Sequence, residues 1–196
     1  MFWDDKVGQD NHKFAGFDEA CMDDNTILAL VTARAADAHR RNDMDPPPTF
    51  PPPISAAALA KVEQELGYSL PPLLRRVYTE IGDGWFGPGC GFQGAISGHF
   101  HEDEDKRATL AEGYHVNHKH EWPDGLVPLV HWGCGIFSCV DCTSPSFPMV
   151  CTDYGAYDPT IQRARVRLAP EGITFRDWLA AWAEGKDVEY KGAFPE

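Results

Sequence analysis

The sequence has no apolar run long enough to cross a membrane, which argues against an integral membrane protein. A spanning helix needs about 20 consecutive apolar residues, and every apolar run in this 196-residue chain is shorter. Residues 1–14 have neither a basic start nor an apolar core, so they do not resemble a secretory signal peptide. We therefore expect a soluble, cytoplasmic protein.

Positive charge is also scarce. The chain has 17 Lys and Arg against 30 Asp and Glu, which gives a net charge of −13. Proteins that bind nucleic acid directly usually carry a basic surface, so no nucleic-acid partner is expected. An acidic surface can instead speed the capture of a basic partner protein, although the same surface could serve solubility alone.

Familiar catalytic motifs are missing. There is no Gly-x-Ser-x-Gly elbow and no His-Glu-x-x-His helix, and the glycine-rich run 83–94 lacks the Lys-Ser/Thr of a phosphate-binding loop. Six of the eight histidines fall between His99 and His131, where they could bind zinc. We interpret them as a solvated loop and predict no metal and no cofactor. A metal-dependent enzyme remains the third hypothesis.

The cysteines favour buried thiols over a cluster. The spacing Cys134-x4-Cys139-x2-Cys142 resembles part of an iron–sulfur pattern, but Cys151 follows too soon for that pattern. Cytoplasmic cysteines usually stay reduced. We expect free thiols within the strands.

Two short helices are predicted between residues 54 and 82. Ser55 is a candidate N-cap, and Gly67 is a natural left-handed stop. The first helix has an apolar stripe at helical spacing, formed by Leu59, Val62 and Leu66. Pro71 and Pro72 suit the first turn of the second helix, which would end at Gly82 and bury Leu74, Val77, Tyr78 and Ile81.

The spacing of apolar and polar residues predicts further helices and strands. A helix is expected from Asp24 or Asn25 to about Arg41, and another over residues 103–113. A closing helix begins at Thr174, ends at Gly185 and buries Phe175, Trp178, Leu179 and Trp182. Strands are predicted at 91–97, 126–132, 136–141 and 147–152, and residues 163–168 alternate like an edge strand with exposed arginines.

The ordered motifs resemble the SUKH superfamily, which includes fungal cell-wall-assembly regulators and bacterial toxin-immunity proteins. The resemblance covers about residues 54–185. It is carried by Glu65-Leu66-Gly67, Leu70-Pro71, Gly82 to Gly84, Phe86-Gly87, the block from Leu129 to Gly135, and Thr174 to Leu179. It implies an α+β fold with a mixed or mostly antiparallel sheet of five to six strands. Residues 1–45 would form a helical extension that packs on the core or meets a partner, 46–53 an extended proline-rich linker, and 54–196 the SUKH-like domain.

The resemblance also implies a non-catalytic protein-binding module. The leading hypothesis is an immunity protein that neutralises a toxin domain, such as a basic nuclease, by direct binding. The predicted partner-binding residues are Asp83, Trp85, Phe86, Glu102, Asp103, Glu104, Asp105, Asp153 and Tyr154, although Trp85 and Phe86 could equally cap the core. The alternative is a regulatory scaffold or adaptor that uses the extension and the proline run for docking.

Overall fold

The fold is α+β, as predicted. A computed structural model describes residues 22–98, 108–118, 122–153, 157–158, 163–164, 166–192 and 194. The helices are α1 (Asp24–Ala36), α2 (Ala56–Leu66), α3 (Pro72–Arg76), α4 (Leu110–His118) and α5 (Phe175–Ala183). A π-helical turn, Val77–Ile81, continues α3. None of these helices is both long enough and apolar enough to cross a membrane.

The main sheet has four antiparallel strands, fewer than the five or six expected. Its order is β1-β2-β3-β6, and β4 and β5 form a separate two-stranded pair. The bounds are β1 (Leu126–Gly133), β2 (Ile136–Asp141), β3 (Pro148–Asp153), β4 (Tyr157–Asp158), β5 (Arg163–Ala164) and β6 (Arg167–Thr174). Cys134 and Gly135 join β1 to β2 with φ angles of 50° and 79°, the positive pair that a two-residue type I′ hairpin requires.

The cap and periodicity signals of α2 and α5 are confirmed. Ser55 accepts a hydrogen bond from the Ala58 N–H at 3.1 Å, and Gly67 ends α2 with φ 79°. The Thr174 hydroxyl caps α5 by accepting from the Asp177 N–H at 3.2 Å. The predicted stripe of α5 is fully buried against the sheet.

The N-terminal helix belongs to the same core as the rest of the chain. Asp23 caps it, one or two residues earlier than expected, and it ends at Ala36 rather than near Arg41. Its buried stripe lies against α5 in one continuous cluster and consists of Ile27, Leu28, Val31 and Ala35. Within the predicted extension, the described helix α1 therefore packs on the core.

The proline-rich run 46–53 is packed against the domain and is not a free linker. The Phe50 ring lies 4.9 Å from the Phe86 ring, and the Pro51 carbonyl accepts from the Asp83 N–H at 3.2 Å. A Cβ added at Gly82 would lie 2.6 Å from the Phe50 ring, so the chain has no room for a larger residue there. The prolines predict an extended backbone, but they do not predict the contact between Phe50 and Phe86 that holds the run against the domain.

Three of the other predicted elements differ. Residues 91–97 form only isolated bridges, Phe92 with Val130 and Gly94 with Gly98, because the glycine-rich backbone turns instead of extending. The helix predicted at 103–113 begins only at Leu110, and residues 103–107 lie outside the described residues. The alternating run 163–168 divides between β5 and β6.

Candidate functional site

The loop of residues 82–98, which contains the glycine-rich run 83–94 and three predicted contact residues, folds back on itself through close backbone contacts. The Trp85 N–H donates to the Phe92 carbonyl, and the Phe92 N–H donates to the Phe86 carbonyl, both at 2.8 Å. Gly84 has φ +81°, and a Cβ there would lie 2.6 Å from the Phe92 carbonyl oxygen. Only glycine fits this crossing, which explains why the sequence is glycine-rich here.

Asp83 is buried and serves the loop itself, which corrects its predicted role as a surface contact. The residue is only 2% exposed. Its carboxylate accepts from the backbone N–H groups of Ala95 at 2.7 Å, Ile96 at 3.1 Å and Ser97 at 2.7 Å. The Ser97 hydroxyl also donates to the Asp83 carbonyl at 2.8 Å. A carboxylate that accepts several N–H groups makes strong, charge-assisted bonds, so Asp83 fixes the turn at 95–97.

The aromatic pair after Asp83 also differs from a pair of exposed anchors. Phe86 is fully buried between Phe50 and Phe92 and belongs to the core. Trp85 is half-buried, and its indole N–H donates to the Gly98 carbonyl at 3.0 Å. Phe86 is therefore not available to a partner, whereas Trp85 is partly exposed and holds the end of the turn at Gly98.

The side chain that this framework exposes is Ile96, which sequence reasoning missed. It is 47% exposed, one of three large hydrophobic side chains exposed in the described part of the chain. Gln93 anchors the chain before it, since the Tyr78 hydroxyl donates to the Gln93 carbonyl at 2.7 Å and the Gln93 amide donates to the Thr109 carbonyl at 3.2 Å. The available signal was one large apolar residue among small ones, in the run Gly94 to Gly98.

The predicted acidic contacts divide into two groups. Glu102, Asp103, Glu104, Asp105 and Tyr154 lie outside the described residues. Asp153 is 9% exposed, and its carboxylate accepts from the Arg167 guanidinium on the neighbouring strand. Asp153 therefore bridges β3 and β6 and is not a free surface charge, which corrects its predicted role.

A comparison with known protein families identifies the family of this chain. The profile of the SMI1 / KNR4 family (SUKH-1) matches residues 53–180, about two thirds of the chain. The chain belongs to the SMI1 / KNR4 family. No curated protein and no solved structure matches it. Members of this SUKH family are in general non-catalytic immunity or regulatory domains that bind partner proteins.

Four thiols of this SUKH domain have raised pKa values and are poor nucleophiles near pH 7. Burial raises the pKa of Cys142 and of Cys151 to about 12. It also raises the pKa of Cys90, and that of Cys139 far above the ordinary value. Nucleophilic attack and metal binding use the thiolate, so these four side chains remain neutral thiols near pH 7. The five cysteines in the described residues are free, and Cys21 lies outside them.

The histidine cluster is only partly described. His99, His101 and His120 and the side chain of His118 lie outside the description. His115 is exposed, and its Nε2 lies 2.8 Å from the Glu65 carbonyl oxygen, whereas the His131 ring stacks 4.7 Å from Phe137. Across the residues that the structure describes, no group of three or more His, Cys, Asp or Glu could hold a metal ion.

The carboxyl group of Glu171 has a strongly raised pKa. Glu171 on β6 accepts from the Ser138 hydroxyl at 2.8 Å, and Ser138 in turn accepts from the Trp132 indole at 2.9 Å. Burial raises the pKa of Glu171 to about 7, while bonds from Ser138 and Trp178 oppose the rise. No basic side chain is bonded to this carboxylate in the described residues. Because Ser138 lies on β2 and Trp178 on α5, these bonds connect β6 to both elements.

Proposed function

We propose that this protein is a non-catalytic immunity protein, which neutralises a basic toxin domain by binding it directly in the cytoplasm. The observation that carries the proposal is Ile96, an apolar side chain 47% exposed on a turn that the buried Asp83 carboxylate holds. A rigid, exposed apolar residue lowers the entropy lost on binding. Membership of a family whose members bind proteins supports the same conclusion.

The charge balance favours a basic partner. Six basic side chains in the described residues already form ion pairs with acids of the same chain, namely Arg75, Arg76, Arg167, Arg176, Lys186 and Lys191. The chain has 30 Asp and Glu against 17 Lys and Arg, so acids outnumber the basic side chains that could pair with them and the net charge is −13. Complementary charge raises association rates and disfavours wrong partners. A nuclease that grips phosphate with Lys and Arg would match this field.

The acids Glu102 to Asp105, together with Tyr154, remain proposed contacts. Their sequence places four carboxylates in consecutive positions shortly after Ile96. We propose that these carboxylates steer the partner toward the surface that carries Ile96, and that Trp85 at its border adds contact area.

A protection assay tests the immunity function. The product of an adjacent gene, chosen for a toxin-like layout, would be expressed in cells with the wild type, with Ile96→Asp, or with the control Val116→Asp. Val116 is 54% exposed on α4, so both substitutions replace an exposed apolar side chain with an acid. We expect the wild type and the Val116 variant to protect and the Ile96 variant to protect less. Failure of the wild type to bind or protect against that toxin would contradict the proposal.

The contacts of the proline-rich run 46–53 give less support to the adaptor hypothesis than to the immunity hypothesis, because an adaptor would use this run for docking. The Arg41 guanidinium donates to the Pro48 carbonyl at 3.1 Å, and Phe50 and Pro51 contact the domain. A proline-reading domain needs an accessible polyproline helix. Removal of residues 1–53 would not separate the two hypotheses, since it would also remove the α1 stripe from the core. Alanine replacement of the exposed Pro52 and Pro53 is the better test, because an adaptor should lose its partner.

A further inference from the structure

A groove opens beside Ile96, between α2 and the turn that Asp83 holds. Its volume is about 430 Å³. Ala57, Ala58 and Val62 of α2 form one wall, and Ala95 and Ile96 form the other. Pockets of roughly 300 to 1,000 Å³ accommodate ligand groups in proteins, so this groove has room for a partner side chain.

The two walls of this Ile96 groove are held in place by separate parts of the core. Val62 in the α2 wall is 6% exposed, so packing against the core fixes that wall. The opposite wall carries Ile96 on the turn bonded to Asp83. The groove therefore exists without a partner, and little ordering of this chain is needed for binding.

Charge is arranged unevenly along the groove. Glu65 and Lys61 line it on α2. Thr109 lines it at the start of α4, and the Glu112 carboxylate accepts from the Thr109 N–H at 2.8 Å. The carboxylates of Glu65 and Glu112 form no ion pair within the described residues. Among the described residues at the groove, two carboxylates, those of Glu65 and Glu112, therefore outnumber one ammonium group, that of Lys61.

We propose that the Ile96 groove is the docking surface for the partner protein, which inserts an apolar side chain beside Ile96 and places a basic side chain near Glu65 and Glu112. This proposal rests on the proposed protein-binding function and names the surface and the partner chemistry for it. Burial of the apolar side chain supplies affinity, and the two carboxylates select a basic neighbour over an acidic one.

A displayed library of random peptides tests this chemistry without a known partner. Peptides would be selected on the full-length wild type and then assayed on Ala57→Arg and Ala60→Arg. Ala57 lines the groove, whereas Ala60 is exposed on the same helix and does not line it. Both variants add the same side chain, and thermal unfolding would verify that both are folded.

We expect selected peptides to contain an apolar residue close to a basic one. They should bind the Ala60 variant like the wild type and the Ala57 variant at least about tenfold more weakly, a loss of roughly 1.4 kcal/mol. The preference for a basic residue should shrink in Glu65→Gln. Equal binding to both arginine variants, or no enrichment of peptides, would overturn the proposal.

The toxin assay separates this proposal from the proposed function. If the wild type and the Ala57 variant protect cells equally well, the groove proposal fails while the immunity function stands. If no toxin is neutralised but the selected peptides lose affinity only for the Ala57 variant, the groove stands and the immunity function fails.

Discussion

Asp83 illustrates how a residue expected to contact a partner can instead shape the surface that is proposed to do so. It accepts three backbone N–H groups from the turn 95–97, and Ile96 projects from that turn. Sequence reasoning singled out this loop but could not separate an exposed acid from a buried one. That distinction depends on the crossing at Gly84, which brings residues distant in the loop together.

Asp83→Asn should destabilise the protein. The substitution keeps the shape of the side chain but removes its charge and turns an amide donor toward N–H groups that need an acceptor. Loss of charge-assisted bonds in a buried site costs about 2 to 3 kcal/mol. Urea denaturation monitored by tryptophan fluorescence measures the change, with the exposed Asp45→Asn as the control. A loss as small as that of the control would show that the turn does not depend on the carboxylate.

The raised pKa of Glu171 predicts that the free energy of unfolding depends on pH. Its pKa is raised from 4.5 to about 7 by burial, so the folded state holds its proton to a higher pH than the unfolded state. This contribution is most favourable below about pH 4.5, declines as the pH rises through the window up to about 7, and is constant above it. The resulting cost at pH 8 is at most about 3 kcal/mol.

Glu171→Gln, which resembles the protonated form, should remove that cost. We expect the variant to be more stable than the wild type at pH 8, by up to about 3 kcal/mol, and to differ little near pH 5. Denaturant unfolding at several pH values measures this, with the exposed Glu184→Gln as the control. A pH-independent difference between variant and wild type would show that Glu171 does not titrate in this range.

At the scale of elements, local signals predicted structure well where they did not depend on distant residues. The cap at Ser55, the stop at Gly67 and the stripe of α5 depend on residues within a few positions, and the structure confirms them. The strand predicted at 91–97 is wrong because its course is set by Asp83 and by bridges to β1. Likewise, the separation of β5 from β6 depends on which strands pair, and alternation alone does not encode pairing.

The helix α1 should be essential to the fold. Ile27 is fully buried within the cluster that also contains the α5 stripe. Ile27→Ala would leave a cavity and cost about 2 to 5 kcal/mol. The matched change is Thr32→Ala, which also truncates a β-branched side chain but at an exposed position on the same helix. Chemical denaturation compares the two, and a small effect of the Ile27 change would mean that α1 is only loosely attached.

At the scale of the whole molecule, the candidate surface was predictable only in outline. The family resemblance and the acidic composition pointed to protein binding, and the family assignment is confirmed. The surface itself depends on which side chains remain exposed after packing, so Phe86 and Asp83 were misplaced and Ile96 was missed. Exposure results from tertiary contacts, and short-range patterns carry little information about it.

A calorimetric titration of this protein with the product of an adjacent gene chosen for a toxin-like layout, at low and at high salt, tests the central claim most directly. The account predicts a one-to-one complex whose affinity falls at least about tenfold from about 50 to about 500 mM NaCl, since salt screens attraction between an acidic protein and a basic partner. It also predicts weaker binding by Ile96→Asp than by Val116→Asp at both salt concentrations. Absence of binding at either concentration would contradict the account, as would binding that Ile96→Asp leaves unchanged.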